Sequence, residues 1–343
     1  MKKLLNTLYV TTSNVYLSLD GENIVLLQEQ SEIGRIPLHN LEGIVCFGYR
    51  GVSPALMGAC AEKGINLCFL TQHGRFLARV TGPVSGNVLL RNTQYFRAAD
   101  ETQSLAIAKS FLLGKIYNGR WCLERVKRDH SMRIDQKKMN DAIGQMLQVL
   151  TNLENAGSRS ELMGLEGIAA KAYFGAFSQM ILRNEDVFVF DGRNRRPPLD
   201  PVNAMLSFAY TLLGNEIAGA LETVGLDPAV GYLHAVRPGR ASLALDLLEE
   251  LRAPLADRFV VKQINLGVFT KKDFLKKENG AVFMTDDARK RFLSSWQKRK
   301  QETIVHPYLK EKIQWGMVAY AQAMLLSRYL RGDLDAYPPL LWK

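Results

Sequence analysis

The hydrophobic periodicity of the chain changes once, near residues 81–86, and this change constrains the fold more than any other feature. Before it, short runs rich in β-branched and aromatic residues alternate with turn residues, which is typical of β-strands. After it, apolar residues recur at the spacing of an α-helix. The sequence therefore predicts an α+β chain of two domains.

The predicted N-terminal domain covers residues 1–82 and is β-rich, β-sandwich-like, with one helix. Strands are expected near residues 8–12, 15–19, 24–28, 34–38, 42–47, 65–71 and 75–80. The helix would begin after Ser53 and end at Gly64, because serine caps a helix and glycine ends one. Residues 83–88 are predicted to form a linker, and residues 89–343 a large all-α domain.

The charge balance favours a polyanionic partner. The 343 residues carry 44 Lys and Arg against 34 Asp and Glu, a net charge of +10, which suits nucleic acid first and an anionic membrane surface second. The basic segments at 115–138 and 271–300 lack a clean amphipathic pattern, so a membrane-surface protein is disfavoured. Four cysteines without metal-ligand or C-x-x-C spacing indicate buried free thiols. With no signal peptide and no apolar run long enough to span a bilayer, we expect a cytoplasmic protein.

The stretch of residues 231–258 holds a candidate metal site. His234 precedes a Pro-Gly break, and the helix that follows carries Asp246 and Glu249. Because these two carboxylates are three residues apart, they lie on one face of the helix. An imidazole with carboxylates can bind a divalent metal. An acidic, solvated helix face with an incidental histidine would give the same pattern.

A further carboxylate, Glu166, lies far upstream on another predicted helix. Ser158 and Glu161 form a capping box that opens this helix of about 25 residues. Glu166 falls within its apolar stripe, where a carboxylate is costly unless it is paired or bound to a cation. Gly164 and Gly167 flank it and suggest close approach by a neighbouring backbone or a ligand. An ion pair with an interior arginine is the alternative.

Two basic segments could contact phosphates or bases. The loop 192–198 carries three arginines between a glycine and two prolines, and guanidinium groups in a stiff loop suit phosphate recognition. In residues 271–300, ten basic residues interleave with aromatic ones, which could stack on bases or pack on the core.

Three motifs together resemble the CRISPR adaptation integrase, the Cas endonuclease that inserts new spacers into the repeat array. They are L-x-G-L-E-G-x-A-A-x-x-Y-F around Glu166, the run R-R-P-P-x-D-P-V-N-A-M-L-S-F-A-Y-T-L-L, and G-Y-L-H followed by G-R-A-S-L-A-L-D-L-x-E-E-L-R. The resemblance covers the whole chain and includes the order of the two domains. The segments K-K-E-N-G-A-V-F-M-T and Y-P-P-L-L-W-K resemble the subtype C branch of type I systems.

The resemblance implies a catalytic centre of Glu166, His234, Asp246 and Glu249 that binds Mg²⁺ or Mn²⁺. Glu166, His234 and Glu249 are the implied metal ligands, and Glu249 stands where many relatives have aspartate. Asp246 is assigned either to the metal or to the support of its ligands. The implied reaction joins the 3′-OH of short foreign DNA to the CRISPR repeat by transesterification; with water as the nucleophile the same site would cleave DNA. The expected DNA contacts are Lys171, Arg193, Arg195, Arg196, Arg237 and Arg240, and Tyr173 is expected to pack or to orient backbone.

The resemblance also implies partners. These are double-stranded DNA as prespacer and repeat, a second copy of the chain through the β domain, and a small ferredoxin-fold CRISPR protein flanked by two such dimers. A Cas exonuclease that trims prespacers is expected in this branch. The competing hypothesis is a non-catalytic DNA-binding scaffold whose acidic cluster is structural.

Overall fold

The computed structural model describes residues 6–12, 14–48, 51–82, 88–183 and 186–343. The chain forms two compact units. The first comprises the N-terminal part together with residues 285–302 and 314–317, and the second comprises the remainder from residue 87 onward. The sequence assigned residues 285–302 to the helical domain, whereas in the structure they pack with the N-terminal part. The predicted linker, 83–88, lies outside the described residues except for Val88.

The strands of the first unit occupy the positions that the sequence predicts, within a few residues. In chain order they are β1 (Thr7–Val10), β2 (Val15–Asp20), β3 (Asn23–Gln28), β4 (Ser31–Pro37), β5 (Gly43–Phe47), β6 (Asn66–Leu70) and β7 (Phe76–Val80). The helix α1 (Pro54–Lys63) lies between β5 and β6. The Ser53 hydroxyl accepts a hydrogen bond from the Leu56 amide, and Gly64 ends α1 at a left-handed φ of 63°.

Two sheets share the core of the first unit. Strands β1, β5 and β6 run parallel and β7 is antiparallel to β6, while β2, β3 and β4 form an antiparallel meander. Side chains from both sheets and from α1 form one buried cluster, in which Leu17, Ile44 and Leu56 are fully inaccessible to solvent. The strand positions and the buried cluster both agree with the predicted β-rich character of this region.

Helices form most of the second unit. They are α2 (Val88–Ala99), α3 (Glu101–Asp129), α4 (Gln136–Leu153), α5 (Arg159–Ala176), α6 (Pro201–Thr223), α7 (Ser242–Leu251) and α8 (Arg258–Asn265). The helix α9 (Asp286–Gln301) packs in the first unit, and α10 (Trp315–Leu330) completes the helical series. A π-helical segment, Arg252–Asp257, joins α7 to α8, so that residues 242–265 form a continuous helical rod.

Residues 274–314 correct the prediction that everything after the linker is all-α. Two short hairpins occur there: β8 (Phe274–Lys276) with β9 (Val282–Met284), and β10 (Thr303–Val305) with β11 (Lys312–Gln314). Gly280 turns the first hairpin at a φ of 80°, which few other residues tolerate. The run Thr303-Ile304-Val305 is β-branched throughout and therefore favours a strand.

The described cysteines are free and buried, as the sequence predicts. No helix within the described ranges is long and apolar enough to cross a bilayer.

Candidate metal centre

Glu166 lies on α5, at the border between its buried and exposed faces. The Ser158 hydroxyl accepts from the amide of Glu161 at 3.2 Å and begins the helix as predicted. The Glu161 carboxylate, however, accepts from the amide of Gly157, outside the strict capping box. The helix ends at Ala176, so it is shorter than expected. The Glu166 side chain is 24% exposed and can reach both the interior and solvent.

His234 is held in place by Asp246 on α7. The imidazole Nδ1 lies 2.6 Å from Oδ1 of Asp246, and the backbone amides of Tyr232, Leu233 and His234 donate to the same carboxylate at 2.6–3.0 Å. Asp246 is completely buried. A carboxylate on Nδ1 fixes the orientation of the ring and leaves Nε2 for a ligand or a metal.

Gly231 is required for this arrangement. A Cβ at this position would lie 2.7 Å from Cβ of Ser242 and 2.8 Å from Oδ2 of Asp246, closer than van der Waals contact allows. The backbone before His234 can therefore approach α7 only because residue 231 has no side chain. The G-Y-L-H sequence thus has a packing reason for its glycine.

Lys115 on α3 joins the other two carboxylates that the sequence singled out. Its Nζ forms ion pairs with Oε1 of Glu166 and, at 2.9 Å, with Oε2 of Glu249. Arg252, one turn after Glu249, contacts Glu249 Oε1 at 3.0 Å. The structure therefore brings Glu166 and Glu249, which are 83 positions apart in the sequence, to one ammonium group.

The electrostatic environment keeps Glu249 ionised. Burial by itself would raise the pKa of this carboxyl, but the charges of Arg252 and Lys115, with a smaller contribution from His234, lower it to about 2. A buried carboxylate that stays charged at neutral pH needs cationic partners or a metal.

One oxygen of this carboxylate is poorly satisfied. Glu249 Oε2 is buried and accepts no hydrogen bond of good geometry, although Lys115 Nζ is 2.9 Å away. Buried polar atoms normally have an aligned partner. Within the described residues, no three His, Cys, Asp or Glu side chains converge closely enough to enclose an ion. The donor set nevertheless fits a hard divalent cation, because two carboxylates and an imidazole suit Mg²⁺ or Mn²⁺.

Behind Glu249 and Arg252 lies a buried polar network. Hydroxyl groups of Tyr173 and Tyr210 both donate to Asp257, the former at 2.9 Å, and the Arg252 guanidinium stacks over the Tyr210 ring at 4.7 Å. Burial raises the pKa of Asp257 to about 6, against the hydrogen bonds and nearby positive charges. The predicted packing residue, Tyr173, therefore supports the segment that carries Arg252.

The predicted DNA contacts divide into two groups. Arg193 is partly buried: its guanidinium donates to Asn203 at 2.6 Å and to Ser207 at 3.0 Å, and lies over the Tyr210 ring. It organises the loop before α6. The other five reach solvent, fully or in part, and belong to α5, the 192–200 loop or the loop after His234: Lys171, Arg195, Arg196, Arg237 and Arg240.

Sequence reasoning missed Lys115 and Arg252. Lys115 begins a basic run that looks like a solvated helix face, so no local pattern distinguishes it. Arg252 was detectable, because its spacing of three residues from Glu249 places both on one helix face.

Comparisons with known proteins identify the family of the chain. Residues 8–298 match the family model described as CRISPR associated protein Cas1. A CRISPR-associated endonuclease Cas1 of Chlorobaculum tepidum is 50% identical over 343 residues, covering all of both chains. A Cas4 exonuclease/Cas1 endonuclease fusion of Geobacter sulfurreducens is 36% identical over 96% of this chain and 59% of its own length.

Solved structures share the fold. A casposase bound to its integration product superposes with a TM-score of 0.84 at 23% identity, covering 98% of this chain and 94% of the other. A Cas6-RT-Cas1–Cas2 complex gives 0.82 at 23% identity, covering all of this chain and 36% of that one. The extent of the family match and the full-length identity to a curated relative are decisive: the chain belongs to the CRISPR-associated Cas1 family.

Proposed function

We propose that Glu166, His234 and Glu249 form the divalent-metal centre at which this chain breaks and joins DNA phosphodiester bonds in CRISPR adaptation. Membership of the Cas1 family makes the protein an endonuclease and integrase. The observation that carries the assignment of the centre is the convergence of Glu166 and Glu249 on one cation, Lys115 Nζ. Oε2 of Glu249, which is buried and accepts no hydrogen bond of good geometry, supports a metal at the same place.

Each residue has a distinct part in this proposal. Glu166 and Glu249 supply oxygen ligands, and His234 supplies Nε2, because Nδ1 is taken by Asp246. Asp246 orients the imidazole and anchors the loop before it, so we assign it to the support of a ligand. Arg252 holds Glu249 and adds positive charge beside the scissile phosphate. When bound, Mg²⁺ or Mn²⁺ would neutralise the phosphate and lower the pKa of the attacking hydroxyl.

The proposed reaction is a transesterification. The 3′ oxygen of the incoming strand forms a bond to phosphorus in the repeat, and the bond from that phosphorus to the 3′ oxygen of the displaced strand breaks. The first oxygen loses a proton and the second gains one, so the number of phosphodiester bonds is unchanged. With water as the nucleophile, the same groups would cleave DNA.

The basic side chains around the centre provide the phosphate contacts in this proposal. Lys171, Arg195, Arg196, Arg237 and Arg240 carry the positive charge that a DNA backbone requires. Arg193, which is engaged with Asn203 and Ser207, shapes the loop that presents its neighbours.

We further propose partners and a branch for this chain. The N-terminal region would pair two copies, and two such dimers would flank a small ferredoxin-fold protein. Other members occur in a complex with Cas2 and in fusion with Cas4, which supports an assembly with such a partner and with a trimming exonuclease. The motifs near residues 276–285 and 337–343 support assignment to the subtype C branch of type I systems.

The test is strand transfer of a short duplex with free 3′-OH ends into a supercoiled plasmid that carries a CRISPR repeat. The full chain is assayed with the small partner protein in Mn²⁺, Mg²⁺ or EDTA. Joining should require the metal and should be lost in Glu166→Gln and His234→Ala. Glu124→Gln is a matched control, because Glu124 is similarly exposed, at 27%, and also ion-paired, with Arg120 on α3. Joining in EDTA, or by the His234→Ala variant, would remove the metal assignment.

A further inference from the structure

Lys115 occupies the place between Glu166 and Glu249 where the proposed function requires a metal ion. Its side chain is only 13% exposed, and it crosses from α3 to carboxylates of α5 and α7. Two carboxylates that approach one point repel each other unless a cation lies between them. In the structure as described, the ammonium group of Lys115 supplies that cation.

The two carboxylate contacts of the ammonium group are unequal, because Lys115 Nζ donates a hydrogen bond to Oε1 of Glu166. Its contact with Glu249 Oε2 has the right length but not the geometry of a good hydrogen bond, because that oxygen accepts none. Arg252 contacts the other oxygen, Oε1, at 3.0 Å and so remains in place whether or not Oε2 changes partner. The Lys115 contact is therefore the one that can be exchanged.

The backbone on either side of Lys115 is closely packed and hydrogen-bonded to its neighbours. A Cβ on Gly114 would lie 2.9 Å from Cγ of Glu250, which shows how closely α3 and α7 approach. Asn118, one turn later, donates to the carbonyls of Glu250 and Leu340 at 2.8 and 2.7 Å. Lysine has a flexible four-carbon stem, which allows the ammonium group to swing out without a shift of α3.

We propose that Lys115 is an internal counter-ion of the metal centre: it holds Glu166 and Glu249 together in the metal-free protein and is displaced when a divalent ion binds. This inference rests on the proposed function, because it assumes a metal between the two carboxylates. The competition between the ammonium group and the metal sets the metal concentration at which the centre fills. The lysine thus neutralises part of the negative charge of the two carboxylates until a metal ion binds.

Displacement is measured by chemical labelling. The full chain is treated with an amine-acylating reagent in EDTA and in Mn²⁺, and modification of each lysine is quantified by mass spectrometry. Labelling of Lys115 should rise several-fold with Mn²⁺, while that of Lys171, exposed on α5, stays constant. In His234→Ala, which lacks an implied ligand, the rise should disappear. Labelling of Lys115 that is unchanged or lower in Mn²⁺ would overturn the inference.

Calorimetric titration with Mn²⁺ alone separates this inference from the proposed function. Lys115→Met should bind Mn²⁺ several-fold more tightly than wild type, whereas Lys115→Arg, which keeps the charge, should bind no more tightly. Equal affinities in all three proteins would overturn the counter-ion role and leave the metal centre intact. Absence of Mn²⁺ binding to wild type, or binding equal in wild type and His234→Ala, would overturn the metal centre itself and the counter-ion role with it.

Discussion

Glu249 and Glu250 are neighbours on α7 and are both almost completely buried, yet the pKa values of their carboxyl groups are shifted in opposite directions. Glu249 faces Lys115 and Arg252, and these charges overcome burial and lower its pKa to about 2. Among the described residues, Glu250 accepts hydrogen bonds from neutral donors: the Gln322 amide and the Leu340 backbone at 2.8 Å and the Tyr337 hydroxyl at 2.7 Å. Burial raises its pKa to about 8 despite these hydrogen bonds.

Burial alone does not decide the charge of a carboxyl group, because the charges and hydrogen-bond donors around the group also set its pKa. Glu249 forms ion pairs and belongs to the proposed reaction centre. Glu250 forms hydrogen bonds with neutral groups, which attach the segment 337–342 to α3 and α7; the Trp342 amide also donates to Asn118 at 2.9 Å. Of these two adjacent residues, one is proposed to act in the reaction and the other stabilises the packing of the C-terminal segment.

The largest effect is expected when each carboxylate is replaced by its amide. Glu249→Gln removes the carboxylate that pairs with Arg252 and one of the two that pair with Lys115, and removing one member of a buried ion pair costs about 3–5 kcal/mol. DNA joining should fall below detection. Glu250→Gln removes no charged partner but exchanges one accepting oxygen for an NH2 group, so it should cost less, about 1–3 kcal/mol. Urea unfolding and strand transfer measure both, and equal losses in the two variants would contradict the assigned charge states.

A smaller effect is expected from Asp246→Asn, which keeps the shape of the side chain but removes the charge beside His234. Loss of such a supporting carboxylate typically lowers metal affinity or activity by about 10–100-fold. Mn²⁺ titration and strand transfer provide the measurement. A variant that binds Mn²⁺ like wild type would show that Asp246 does not position the imidazole.

Adding a methyl group next to Glu250 should destabilise the protein without altering the ion pairs of Glu249. In Gly114→Ala the new methyl group meets Cγ of Glu250 and, at 3.3 Å, Cβ of Pro339. Overpacking of this kind costs about 1–3 kcal/mol. Gly144→Ala on α4 is the control, because its Cβ points into open space, and it should stabilise the protein by up to about 1 kcal/mol. Thermal or urea unfolding that ranks these variants the other way would contradict the packing of α3 against α7.

The smallest effect is a pH dependence of the free energy of unfolding that arises from the titration of Glu250. Its folded pKa of about 8 lies above the ordinary value of 4.5, so between these pH values the folded state binds more protons than the unfolded state. The free energy of unfolding contributed by Glu250 therefore falls as pH rises through this window, by at most about 1.4 kcal/mol per pH unit. The difference between wild type and Glu250→Gln should show this fall. A difference independent of pH would mean that Glu250 is already ionised in the folded protein.

The sequence predicted the elements well where local rules determine them. Alternating apolar residues gave the strands of the first unit, and Ser53 and Ser158 cap α1 and α5 as expected. The short hairpins after residue 270 were missed because three-residue strands leave too little periodicity. The grouping of α9 with the first unit depends on tertiary packing, in which Phe292 and Trp296 are fully buried, and no linear pattern contains it.

The site was predictable only in part. The spacing of Asp246 and Glu249 placed both on one helix face, but the pairing of Glu166 with His234 came from the family resemblance. Asp246 and Glu249 have different proposed roles because they contact different groups in the folded chain. Asp246 contacts Nδ1 of His234, and Glu249 contacts Nζ of Lys115. The hydrogen bond from Arg193 to Asn203 could not be predicted either. In an arginine-rich loop, the sequence does not show which arginine is buried and which is exposed.

The most direct test of the central claim is a crystal structure of the full chain with Mn²⁺, in which anomalous scattering locates the ion. The expected result is one strong peak within coordination distance of Glu166, Glu249 and Nε2 of His234, with Lys115 turned away from both carboxylates. A peak elsewhere, or Lys115 still between the carboxylates with no ion beside them, would contradict it.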